Sequence, residues 1–220
     1  MKEKLRIAID GPSGAGKSTI ARQVAGALGI DYIDTGAMYR AVGYKALREQ
    51  IPLEDREALG AMLSATEIDF SGGNTLLDGE VINDKIRTPE VSKMASDISA
   101  LPEVREKLVA LQRQMGSSKS VVMDGRDIGT NVLRDAEYKF FLTASAEERA
   151  RRRWLELLEK GETVSLEEVQ ADIAARDHND SSRPLNPLRR APDALEIDSS
   201  HMSIEQVTAF ILRRVCPEQH

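Results

Sequence analysis

The chain has 220 residues, with hydrophobic residues at 41% and charged residues at 30%, which suits one compact domain or one core with small appendages and excludes a disordered polymer. Its 30 Lys and Arg against 36 Asp and Glu leave a net charge of −6, opposite to a generic polyanion binder, and aromatics at 4% are too few for base-stacking platforms. No apolar run approaches the ~18 residues that span a bilayer.

The stretch Met1–Asp10 does not read as a secretory signal, because Arg6 interrupts its short apolar run. Cys216 has no second cysteine to pair with, and His178, His201 and His220 are not at metal-ligand spacing. A reducing, cytoplasmic compartment and a monomer are expected, with no membrane and no nucleic acid as partner.

In chain order, Leu5–Asp10 reads as a buried strand that runs into the turn residues Gly11-Pro12-Ser13-Gly14. Ile20, Val24 and Leu28 then repeat at helical spacing and stop at Gly29, and Asp31–Asp34 reads as a second strand, which predicts a parallel βαβ unit. Residues 66–88 alternate strand-like and turn-like pieces around Ser71-Gly72-Gly73-Asn74 and Asp78-Gly79, so a small inserted antiparallel sheet is predicted there. Helices are predicted at 90–99 and 103–115, the second closed by Gly116. Further core strands are predicted at Ser120–Met123, Tyr138–Leu142 and Ala194–Asp198. Helical faces run through Ala150, Trp154 and Leu157, through Leu166, Val169 and Ile173, and through Ile204, Val207 and Ile211. Five short strands among helices predict an α/β, doubly wound parallel sheet.

Gly11-Pro12-Ser13-Gly14-Ala15-Gly16-Lys17-Ser18 satisfies G-x-x-x-x-G-K-[ST] between a predicted strand and a predicted helix. Glycines let backbone N–H groups converge on phosphate oxygens, and the helix adds the positive end of its dipole. Lys17 is expected to reach the β and γ phosphates of ATP, with the Ser18 hydroxyl on Mg²⁺. A base-reading Asn/Thr-Lys-x-Asp is missing from the sequence, which argues against a GTPase. After the second strand comes Asp34-Thr35-Gly36-Ala37-Met38-Tyr39-Arg40, which places Arg40 one turn above a helix start, where it can clamp a second phosphate.

With Ile86-Arg87-Thr88 and Asp124-Gly125-Arg126-Asp127-Ile128-Gly129-Thr130, these motifs resemble in order and spacing the nucleoside monophosphate kinases, most closely the bacterial cytidylate kinases. The resemblance implies a P-loop kinase fold: a five-stranded parallel sheet flanked by helices, with the inserted antiparallel sheet in an acceptor-binding region and a short helical lid. It divides the chain into a core of 1–34, 117–145 and 185–220, an acceptor region of 35–116 with the inserted sheet at 64–88, and a lid with its following helix at 146–184. It implies transfer of the γ-phosphoryl group of ATP to CMP or dCMP, within pyrimidine metabolism and with Mg²⁺.

ATP is expected on Gly11 to Ser18 and Thr19, and Mg²⁺ on Ser18 and Asp124. Arg126 is placed to grip the acceptor phosphate beside Arg40. The resemblance alone assigns CMP to Thr35, Ser96 and Arg105, gives Asp127 the cytosine edge, and puts Arg176, Asp180 and Arg183 against the acceptor nucleotide. Asp127 suits a base with an exocyclic amine, since a carboxylate accepts hydrogen bonds.

Arg149-Ala150-Arg151-Arg152-Arg153 sets four arginines in five residues. Read alone it is a solvated helical face compensated by Glu147, Glu148 and Glu156, a basic patch, or a lid that swings over the triphosphate. The resemblance selects the lid, with Arg152 and Arg153 joining Lys17 and Arg126 as the catalytic set. The rivals are a UMP-preferring kinase, a P-loop kinase of a small non-nucleotide substrate, and a nucleotide sensor without turnover.

Overall fold

The computed structural model describes residues 4–216; His220 lies outside them. The chain begins with β1 (Arg6–Asp10), α1 (Lys17–Leu28), β2 (Asp31–Asp34), α2 (Thr35–Arg48) and α3 (Arg56–Ser64). Next come β3 (Ile68–Ser71), β4 (Asn74–Leu77), β5 (Glu80–Val81), α4 (Pro89–Ile98) and α5 (Pro102–Ser118). The last part holds β6 (Val121–Gly125), a π-helical turn at Ile128–Val132, β7 (Tyr138–Thr143), α6 (Ala146–Glu159), α7 (Leu166–Ser182), β8 (Leu195–Asp198) and α8 (Ile204–Val215).

Five strands form one sheet in the order β2-β6-β1-β7-β8. β1 lies at its centre and pairs in parallel with β6 on one side and β7 on the other, and β8 runs parallel to β7. The chain thus builds outward in both directions from β1. In such a sheet the crevice beyond the carboxyl ends of the central strands is where ligands bind. No described helix is long and apolar enough to cross a membrane.

The described residues divide into two compact units. One holds the chain through Tyr32 and again from Lys119 onward; the other is Ile33–Ser118. In the first, Ile7, Ile9, Val122, Phe140 and Leu142 of the strands pack with Ile20 and Val24 of α1 and Val207 and Ile211 of α8. These strands are apolar on both faces, as a sheet covered by helices requires. A satellite cluster of Ala150, Leu157, Val169 and Ile173 joins α6 to α7, and Trp154 caps it by donating Nε1–H to the Val164 carbonyl at 3.0 Å.

The second unit contains the three-stranded antiparallel sheet β3-β4-β5. Asp78 and Gly79 both take positive φ, 52° and 82°, the geometry of the two-residue hairpin turn expected there. Asp78 is held by the buried Lys45 at 2.6 Å and accepts from the Glu67 amide at 2.9 Å, so the turn is tied to α2.

One local expectation fails, and one helix lies where none is predicted. α5 does not stop at Gly116 but runs to Ser118, where the hydroxyls of Ser117 and Ser118 bond back to the Gln114 and Met115 carbonyls. α3, not anticipated, is capped by Asp55, which accepts from the Ala58 amide, and buries Leu59, Met62 and Leu63.

Candidate active site

The glycine-rich loop leaves the carboxyl end of β1 and enters α1 with Gly16 as N-cap at φ 86°. Gly11 is required by space, and Gly14 by its φ of 75° together with a close neighbour. A Cβ on Gly11 would lie 1.9 Å from the Leu142 carbonyl oxygen of β7, and one on Gly14 would meet Arg149 backbone and Cβ at 3.0–3.1 Å. Lys17, 6% exposed, donates Nζ–H to the Pro12 carbonyl at 2.7 Å. Burial, and next the charge of Arg126, hold its ammonium well below the ordinary lysine range. A polyphosphate in the loop is the kind of anion that would reverse that.

Asp124 sits at the end of β6 and accepts from Ser18 Oγ at 2.8 Å on one oxygen and from Tyr32 Oη at 2.8 Å on the other. Asp10, at the end of β1, turns a buried carboxylate to the amides of Ile128 (2.8 Å) and Gly129 (2.7 Å), which fixes the π-helical turn that follows Asp127. Burial outweighs those two bonds and pushes its carboxyl up to about 6.

α7 brings a row of charges to the same strand ends. Asp180 accepts from Arg126 Nε at 2.6 Å, and Arg183, at the helix C-cap, donates to Asp127 Oδ1 at 3.0 Å. Burial opposes the charge on Asp180, but Arg126, with Arg183 and Lys17, holds its carboxyl below the ordinary range. The other Asp127 oxygen accepts from Asn131 Nδ2 at 3.0 Å. Arg176 faces Asp172 at 3.2 Å.

Of the four arginines of α6, Arg149 is the one that bonds the loop. Its NH1 donates to the Ser13 carbonyl at 2.9 Å and to Asp177 Oδ2 at 2.6 Å, and its Nε donates to the Ala144 carbonyl at 3.0 Å. Arg152 is engaged with Glu148 and Ser199, and Arg153 with Glu156 at 2.8 Å.

In the second unit, Asp34 caps α2 by accepting from the Ala37 amide at 2.7 Å and pairs with Arg40 NH2 at 3.1 Å. The Arg40 Nε is buried and lacks a hydrogen-bond partner, so this guanidinium retains a donor for a ligand. Arg105 is buried, donates to Tyr39 Oη at 3.2 Å and lies over that ring at 5.9 Å. Thr35 is buried in the first turn of α2, and Ser96 is half-buried on α4.

Sequence reasoning did not single out Asp10, Tyr32, Asn131 or Asp177. Asp177 lies between Arg176 and Asp180, and Asp10 immediately precedes the loop, but neither position reveals its partner.

A sequence model described as cytidylate kinase matches residues 7–216. The chain belongs to the cytidylate kinase family. It is 54% identical over 215 residues to a protein of Desulfitobacterium hafniense named cytidylate kinase, covering 96% of this chain and 93% of that one. It is 52% identical over 214 residues to one of Caldicellulosiruptor bescii bearing the same name, with 96% and 95% covered. Among solved structures, shikimate kinase from Acinetobacter baumannii superposes with a TM-score of 0.51 at 14% identity, covering 99% of this chain and 96% of that one. That likeness speaks for the kinase fold alone, whereas the cytidylate kinase relatives match in sequence along nearly the whole chain.

Proposed function

We propose that the protein transfers the γ-phosphoryl group of ATP to CMP or dCMP, giving ADP and CDP or dCDP. The observation that carries this reading is a strand register. Asp10 pairs with Gly125, so the phosphate loop and the Arg126-Asp127 segment leave neighbouring strands side by side. A loop built for the donor phosphates therefore lies next to a cation and a carboxylate suited to an acceptor nucleotide.

The reaction needs no covalent enzyme intermediate. An acceptor phosphate oxygen attacks the γ-phosphorus in line, the bond to the ADP oxygen breaks, and the protein contributes alignment and charge stabilisation. The loop from Gly11 to Thr19 binds the donor, with Lys17 at the β and γ phosphates. Arg40 and Arg126 hold the acceptor phosphate, and Thr35 binds alongside. Asp127 reads the cytosine amine, with Ser96 and Arg105. Its carboxylate accepts from Arg183 and Asn131, which fix its orientation. Arg176 and Asp180 bind the ribose, and Arg183 steadies Asp127. Arg152 and Arg153 leave their present glutamate partners to meet the charge that spreads over the transferring group.

Ser18 and Asp124 would hold Mg²⁺, whose charge neutralises the phosphate oxygens. Two hard oxygen donors 2.8 Å apart fit an ion that keeps several waters, and no cage of three or more acidic, His or Cys ligands occurs among the described residues. On this reading residues 35–116 form the acceptor region and 146–184 the lid with its following helix, and closure of the lid and the acceptor region excludes water as a competing nucleophile. The enzyme acts as a cytoplasmic monomer.

A coupled assay of ADP formation with ATP, Mg²⁺ and each of four nucleoside monophosphates tests the assignment. CMP and dCMP are expected to turn over best; UMP exceeding CMP would overturn the acceptor assignment.

A further inference from the structure

The phosphate loop is held by a side-chain pair with no role in the scheme above. The Ser13 peptide is gripped on both sides: Asp177 Oδ1 accepts its N–H at 3.3 Å, and Arg149 NH1 donates to its C=O at 2.9 Å. The two side chains close the ring on each other, Arg149 NH1 to Asp177 Oδ2 at 2.6 Å. Arg149 is itself pinned by the Ala144 carbonyl, and Gly14, at φ 75°, packs closely on its backbone, where a Cβ would lie 3.0 Å from the Arg149 carbonyl oxygen. A helical arginine and a carboxylate from another helix, 164 residues from Ser13, thus dictate the conformation of one peptide in the loop.

We propose that Asp177 is a positioning residue for the donor loop, in partnership with Arg149: by fixing the Ser13 peptide it sets the directions of the amides that follow it in the phosphate cradle. The proposal rests on the reading that this loop takes the phosphates of ATP. Its chemistry separates Asp177 from its helical neighbours. Asp180, three residues on, takes Arg126, a group assigned to the acceptor. Asp177 takes the donor loop. One helix therefore serves both substrates through different carboxylates. A cradle of backbone amides works by preorganisation, so loosening one of its peptides costs donor affinity without touching the acceptor.

The test uses the full chain, with ATP plus Mg²⁺ and CMP titrated separately by calorimetry and the kinetic constants for each measured alongside. Asp177→Ala is expected to weaken ATP binding about tenfold or more, the scale of one charge-assisted hydrogen bond, while CMP binding stays within about twofold. Asp177→Asn retains an oxygen for the Ser13 amide but presents no second acceptor to Arg149, so it should restore part of the loss. Arg149→Ala combined with Asp177→Ala should cost much less than the two single losses added. Equal losses for ATP and CMP, a loss confined to CMP, or ATP affinity unchanged would each overturn the proposal. Should the alanine variant not fold, wild-type ATP affinity in Asp177→Asn overturns it equally. Failure of the wild-type protein to bind ATP would instead refute the donor-loop reading itself.

Discussion

Asp10 offers a test of the site's architecture through pH. Its carboxyl is buried, accepts the amides of Ile128 and Gly129, and is pushed up to about 6 from an ordinary 3.8. A folded-state pKa above the unfolded one means that the native protein binds the extra proton between those two values. The group's stabilising contribution is therefore complete below about pH 4 and lost as pH rises through 6. Roughly two pH units at about 1.4 kcal/mol each make that loss about 3 kcal/mol. Asp10→Asn removes the titration and leaves one amide facing an NH₂ in place of an acceptor, a fixed penalty of about 1–3 kcal/mol. Urea unfolding of both proteins at half-unit steps from pH 4 to 7.5 should show the wild-type advantage shrinking by up to about 3 kcal/mol, with the variant equal or more stable near neutrality. Stability curves that stay parallel across that range would refute the burial argument.

Lys17→Ala should abolish phosphoryl transfer while circular dichroism and the unfolding midpoint change little, since Lys17 bonds only a loop carbonyl in the free protein; retained turnover would defeat the donor-loop assignment. Asp127→Ala should weaken CMP binding at least about tenfold more than ATP binding, read by calorimetry, if its carboxylate, oriented by Arg183 and Asn131, takes the cytosine amine; equal losses for both would refute base reading there. Arg153→Ala should lower kcat more than it raises KM, the pattern of a contact made in the transition state, and a pure KM effect would return Arg153 to ground-state binding.

What the sequence disclosed and what it concealed divide along a physical line. The β1–loop–α1 unit was legible because its signals are local: a short apolar run, glycines where backbone must approach phosphate, and apolar residues at 20, 24 and 28. The Asp78-Gly79 hairpin was legible for the same reason. α3 escaped because nine residues give barely two turns of periodicity, and Gly116 misled because a buried glycine continues a helix whose end is satisfied by serine hydroxyls. Nothing in a one-dimensional pattern says that Asp177 lies against Ser13 or Asp10 against Gly129, since each pairing is made by folding across more than a hundred residues.

The arginine run of α6 shows the same limit at its sharpest. Successive helical residues turn by about 100°, so Arg149, Arg152 and Arg153, at i, i+3 and i+4, share one face and Arg151 lies on the opposite one. The sequence offers no means of ranking them, since composition is identical at each. Packing does rank them. Arg149 points inward, is buried, and takes three fixed partners, in the loop, on α7 and at Ala144 just before α6; Arg151 points outward to Glu148. Arg152 and Arg153 lie between, half-buried on partners that a more strongly charged ligand can outcompete. A buried cation committed to three partners suits holding the loop in shape, whereas Arg152 bonds Glu148 and both the hydroxyl and the carbonyl of Ser199, and Arg153 bonds the half-buried Glu156. Burial thus separates Arg149, fixed between the loop and α7, from Arg152 and Arg153, which the proposed function would have leave their partners for the transferring group.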